Sequence, residues 1–140
     1  MPAQSWDIFC KVVDNFGDAG VCWRLARQLA TEYGVTVRLR IDDLTSLARL
    51  NPQVQVVEQQ RIDDVEILKW DDGKPDPQPP DVIVEAFGCG LPEAYVRDMV
   101  RAVRPPLWIV LEYLSAESWV HEHHRLPSPH PGLALERYFF

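Results

Sequence analysis

The stretch that most constrains the fold joins Trp6-Asp7-Ile8-Phe9-Cys10-Lys11-Val12-Val13 directly to Asp14-Asn15-Phe16-Gly17-Asp18-Ala19-Gly20. The first eight residues are largely apolar and β-branched toward their end, the pattern of a central parallel strand. Beyond Gly20, Val21, Cys22, Leu25, Ala26, Leu29, Ala30 and Tyr33 recur at helical spacing and predict one buried stripe. Gly34 stands where a C′ glycine closes a helix. A strand running into a glycine-bearing loop and then a helix opens an α/β unit. Ligands of such sheets sit beyond the carboxyl ends of the strands, where this loop lies.

The rest of the chain repeats the theme. Val35-Thr36-Val37-Arg38-Leu39-Arg40-Ile41 alternates strictly, so one face is polar and the strand belongs nearer the sheet edge than the first. Asp42 or Asp43 can cap a short helix, Leu44 to Leu50, which Asn51-Pro52 ends. Val54 to Val57 and Val65 to Trp70 read as short strands separated by a polar turn. Asp71 to Asp81 holds four prolines and reads as a loop. Asp81 to Phe87 is again a buried parallel-type strand. After Gly88-Cys89-Gly90, Pro92 starts a helix that reaches about Val103 and is broken by Arg104-Pro105-Pro106. Leu107 to Glu112 is read as the last strand, and Tyr113 to Phe140 as an irregular tail. Its apolar end, Tyr138-Phe139-Phe140, suggests a fragment whose remaining domain covers those rings. The order β-α-β-α-β-β-β-α-β predicts an α/β, Rossmann-like, mostly parallel sheet with helices on both faces. Such a sheet carries Asp14, Glu85 and Glu112 to one edge.

At 140 residues, with 46% apolar and 25% charged content, one domain with a real core is expected. No apolar run is long enough to span a bilayer, and no signal-peptide pattern opens the chain. The net charge of −7 lies wholly in residues 51–100 and argues against nucleic acid as the main partner. Cys10, Cys22 and Cys89 are odd in number and form no CxxC, so they read as reduced, mostly buried thiols of a cytoplasmic protein.

The loop fails as a dinucleotide site. A G-x-G-x-x-G fingerprint would align with Asn15 to Gly20, placing Asn15 at the first glycine and Asp18 where phosphate belongs. Asp42, at the distance of a ribose-binding acid, does not rescue it. Two readings of the aspartates stay open on spacing. Asp18 caps the helix and Asp14 bonds its own turn, or two carboxylates flank a cleft and handle a proton or cation. Gly17 and Gly20 would admit a ligand close to the backbone, and Phe16 would pack on it.

The motif Val13-Asp14-Asn15-Phe16-Gly17-Asp18-Ala19-Gly20-Val21 with Trp23-Arg24-Leu25-Ala26 resembles the start of the bacterial elongation factor P arginine rhamnosyltransferases, the EarP family. Pro80 to Phe87 with Leu91-Pro92-Glu93, then Glu112 to Glu117, then Pro127-Ser128-Pro129 match the same family. The resemblance is collinear over essentially the whole chain. It implies the N-terminal half of a two-domain GT-B glycosyltransferase, with residues 1–140 as the acceptor-binding domain and the donor-binding domain absent. The reaction implied is an inverting transfer of rhamnose from dTDP-β-L-rhamnose to an arginine of elongation factor P, with no cofactor and no metal. By the same resemblance Asp18 is the general base and Asp14 an orienting acid, with Asn15, Phe16 and Gly17 near the donor sugar. Glu112, Tyr113, Ser115 and Glu117 are expected to bind the basic acceptor, by a chain expected to be monomeric and inactive alone. The alternatives are a non-catalytic module for a basic protein segment and a small nucleotide binder. His121, His123 and His124 show no established metal-ligand spacing and read as a solvated loop. Trp70 and Trp108 read as core, and Trp23 as core or interface.

Overall fold

The structure, a computed structural model, describes residues 4–12, 15–70, 80–87, 89–101, 106–111, 127–129 and 136–139. Its elements are β1 (Ser5–Cys10), α1 (Asn15–Glu32), β2 (Thr36–Ile41), α2 (Leu44–Leu50), β3 (Gln59–Ile62), β4 (Val65–Lys69) and β5 (Val82–Ala86). They continue with α3 (Glu93–Arg101), β6 (Leu107–Leu111), β7 (Pro127–Pro129) and β8 (Glu136–Phe139). One eight-stranded sheet runs in the order β3-β4-β2-β1-β5-β6-β8-β7. Six of its strands are mutually parallel: β4, β2, β1, β5, β6 and β8. Counted along the chain, those six stand in the order 3-2-1-4-5-6, the doubly wound Rossmann arrangement. Antiparallel β3 and β7 finish the two edges.

Helices cover both faces, as the sequence pattern predicts. From β1, Ile8 and Cys10 point to α1 and α2, where Ala19, Cys22, Trp23, Ala26, Leu44 and Leu47 complete the larger core. Phe9 points the other way and joins Ile83 and Trp108 beneath Tyr95, Val96 and Met99 of α3. The period-two alternation of a strand is what divides these two sets.

Several boundaries differ from the sequence reading. Helix α1 starts at Asn15, well before Val21, so most of the glycine-bearing loop is the first turn and a half of helix. Two glycines weaken helix propensity there, but burial of Asp18, Ala19 and Cys22 against the sheet outweighs the deficit. Within the stripe, Val21 and Tyr33 are exposed, while Trp23 is core. Gly34 does adopt positive φ (65°) at the helix end. The strand foreseen at Val54–Val57 lies instead at Gln59–Ile62, paired with β4. Asp63 and Asp64, both at positive φ (52° and 64°), form a two-residue hairpin turn and set that register from the turn outward. Val54 is drawn into the core, whereas Val56 and Val57 stay exposed. Finally, β6 is not the last strand. Residues read as an irregular tail supply β7 and β8, and β8 pairs in parallel with β6. Prolines at both ends of β7 suit only an edge strand, which is where it lies.

Candidate active site

In a doubly wound sheet the crevice opens where neighbouring strands send their connections to opposite faces. Here that point is between β1, which leads into α1, and β5, which leads into α3 on the other face. A cleft of about 720 Å³ lies at this end, lined by Lys11, Asp42, Trp70, Cys89, Gly90, Leu91, Pro92, Glu93 and Arg97. Its volume is that of an ordinary small-ligand site. Phe87 closes β5 with positive φ (57°), a conformation costly for a non-glycine residue, and its N–H donates to the Leu111 carbonyl. Gly90 (φ 81°) completes the turn into α3.

Asp18 lies in the first turn of α1 and is 1% exposed. An N-cap precedes the first helical residue, so the helix-cap reading of Asp18 is corrected: it sits inside the turn. Beneath the turn is the Cys10 thiol. Hydrogen bonding to Cys22, burial, and the nearby Asp18 and Asp42 carboxylates all push its pKa up. Asp18 and Asp42 therefore gather about the end of β1. The backbone of Asn15, Phe16 and Gly17 shares the first turn with Asp18, and Gly17 is exposed. Gly17 and Gly20 open onto a second hollow of about 630 Å³, between α1 and α2, bordered by Val21, Trp23, Arg24 and Leu50. A Cβ at Gly20 would meet Leu50 Cδ1 at 3.7 Å, an ordinary contact. Asp14, Glu112, Tyr113, Ser115 and Glu117 lie outside the described residues, as do His121, His123 and His124.

Asp42 and Asp43, alternatives for one cap, divide two tasks. Asp43 caps α2, accepting from Ser46 N–H at 3.1 Å and Ser46 Oγ–H at 2.9 Å, and these bonds lower its pKa. Asp42 accepts from Val12 N–H at 2.8 Å. Glu85 reaches the predicted edge but is 3% exposed, taking hydrogen bonds from Trp108 Nε1 (3.1 Å) and Gly90 N–H (3.2 Å). It props the turn after β5. Burial and the nearby Glu85 charge push the Cys89 thiol up to about 12, so it stays protonated at neutral pH. All three cysteines are free.

Sequence reasoning missed a buried ionic cluster. Asp7, fully buried on β1, receives Arg38 Nε at 2.6 Å and Nη2 at 3.0 Å, Arg40 Nε at 3.3 Å and the Tyr95 hydroxyl. The Arg40 guanidinium lies over the Phe9 and Tyr95 rings, 5.6 and 5.4 Å from their centroids. Burial pushes the Asp7 carboxyl above its ordinary range, against the opposing pull of both guanidinium groups. The two arginines on the polar face of β2 thus turn toward Asp7, while Thr36 on the same face stays exposed. The available signal was an acid in an otherwise apolar strand beside a strand with two arginines at alternate positions.

The fold and its carboxyl edge define a doubly wound α/β domain with its ligand end at the β1–α1 and β5–α3 turns. The sequence model described as "Elongation-Factor P (EF-P) rhamnosyltransferase EarP" matches residues 6–140. Curated relatives named protein-arginine rhamnosyltransferase include those of Pseudomonas aeruginosa, 50% identical over 139 residues, and Pseudomonas putida, 48% over 137. That of Shewanella oneidensis is 41% identical over 145 residues. The matches take in 97 to 99% of this chain but 36% of each relative, so the chain spans about a third of their length. The chain belongs to the EarP family. Among the described residues no helix is long and apolar enough to cross a membrane.

Proposed function

We propose that this chain is the N-terminal, acceptor-side part of an inverting GT-B protein-arginine rhamnosyltransferase, whose donor is dTDP-β-L-rhamnose and whose acceptor is an arginine of elongation factor P. The family match over residues 6–140 carries this reading. Residues beyond these 140, in the length the relatives have and this chain does not span, would bind the nucleotide sugar.

The chemistry explains why carboxylates belong at this edge. A guanidinium has a pKa above 12 and a delocalised plane, so its nitrogens are poor nucleophiles. Asp14 holds the group and orients one nitrogen toward the anomeric carbon. That nitrogen attacks from the face opposite the dTDP leaving group, the C1–O bond breaks, and the configuration inverts. Asp18 accepts the proton released as the C–N bond forms, which keeps the nitrogen lone pair available during attack. Asn15, Phe16 and Gly17 border the sugar, while Glu112, Tyr113, Ser115 and Glu117 meet the acceptor protein. Because Asp18 is 1% exposed, acceptor engagement must open the first turn of α1 to bring the guanidinium to it.

The test is transfer by the full-length protein, read by intact mass of elongation factor P after incubation with dTDP-β-L-rhamnose. One deoxyhexose on one arginine is expected, and none from the 140-residue chain alone. Tight binding of the factor without transfer by the full-length protein would leave a non-catalytic module, and transfer by the short chain would overturn the division of labour.

A further inference from the structure

Asp42 is exposed at the exit of β2, yet its hydrogen bonds bind it to the neighbouring strand and to the loop beyond. Its N–H donates to the Cys10 carbonyl at 3.3 Å, fastening the carboxyl ends of β1 and β2 together. Its Oδ1 accepts from the N–H of Val12 at 2.8 Å, two residues before Asp14. One side chain thereby closes the start of the β1–α1 segment onto the end of β2, on the wall of the cleft. Asp43 next to it is occupied with capping α2, so the two consecutive acids are not interchangeable. A segment that presents reacting groups loses rate steeply when displaced: a shift of about 1 Å can cost on the order of 10²-fold.

We propose that Asp42 is a positioning residue, whose bond to the Val12 amide fixes the segment carrying Asp14 and Asp18. The assignment of those two acids rests on the proposed function; the clasp itself does not.

The experiment uses the full-length protein with Asp42→Ala, which removes the acceptor oxygen, and Asp42→Asn, which keeps one without the charge. Asp42→Ala should lower kcat about 10- to 100-fold with the acceptor KM changed by less than about threefold. Asp42→Asn should restore kcat to within about threefold of wild type. Amide exchange at Val12 should speed up about tenfold or more in Asp42→Ala and stay slow in Asp42→Asn, as expected for one lost hydrogen bond. Asp43→Ala, which loosens α2 but leaves the Val12 bond, should not change kcat. Wild-type turnover by Asp42→Ala, or equal damage in both Asp42 variants, would overturn the proposal. If wild type itself transfers no rhamnose, the proposed function fails. Val12 exchange then reads the clasp alone, and unchanged exchange in Asp42→Ala overturns it.

Discussion

The two faces of β1 solve the same burial problem in opposite ways. On the α1 and α2 side Ile8 and Cys10 pack among apolar neighbours from the helices and from Val37, Leu39 and Ile41, with the buried Asp18 carboxyl only at the end of the strand. Each such side chain contributes about 1.5–3 kcal/mol by leaving water, and none needs a partner at a fixed angle. On the α3 side the same strand buries Asp7 completely, and the adjacent strand buries Glu85. There stability depends on donors arriving at set distances from residues 31 and 88 positions away in the chain. The apolar face tolerates small shifts. The polar face fixes the relative placement of β1, β2 and α3, the elements that bound the cleft, because an unpaired buried charge is costly.

Removing one partner should separate the faces most clearly. Asp7→Ala takes from the Arg38 and Arg40 guanidinium groups the buried carboxylate they share and should cost about 3–5 kcal/mol in urea unfolding. Leu39→Ala, on the apolar face, should cost about 2–4 kcal/mol. An Asp7→Ala cost well below that of Leu39→Ala would dissolve the contrast. A smaller effect tests its electrostatic basis. A carboxyl whose pKa is raised in the fold gives stability that is complete below its ordinary value of 3.8 and fades as pH rises through the folded value. Asp7→Asn cannot titrate, so the stability of wild type relative to Asp7→Asn should fall as pH rises from 3.8. A rise instead would mean that the two arginines outweigh burial. Smallest should be the cap on the apolar side: Asp43→Ala should cost about 1 kcal/mol in the same assay. Its bonds to Ser46 lower the Asp43 pKa, so that contribution is present above pH 3.8 and is lost on acidification.

The same contrast governs what was legible in the sequence. Alternation in Val37-Arg38-Leu39-Arg40-Ile41 and the helical spacing of Cys22 and Ala26 mark the apolar face directly, because hydrophobic periodicity is local. From them the β1–α1–β2 unit, the parallel sheet and its ligand edge follow. The Asp7 cluster was not legible, since its members come from β1, β2 and α3 and only the folded register brings them together. Helix α1 was begun too late because glycines at 17 and 20 speak against a helix locally while the sheet beneath speaks for one. The β3 strand was displaced because Gln59-Gln60-Arg61-Ile62 has no apolar pattern and is recruited by its hairpin turn. Strand β8 was missed because its pairing partner, β6, is distant in sequence. Of the candidate site, Asp18 and its turn are singled out by the motif resemblance alone. The Asp42 bond to Val12 left no mark beyond an aspartate at a strand end.

On the proposed function, the first turn of α1 carries the proton acceptor for glycosylation of arginine. The most direct test is single-turnover transfer by the full-length protein carrying Asp18→Asn, which keeps the size of the side chain and removes its basicity. Loss of transfer by about 10²–10⁴-fold, with elongation factor P still bound and the fold intact, is the predicted result. Transfer at the wild-type rate would contradict the account and leave Asp18 a buried structural acid.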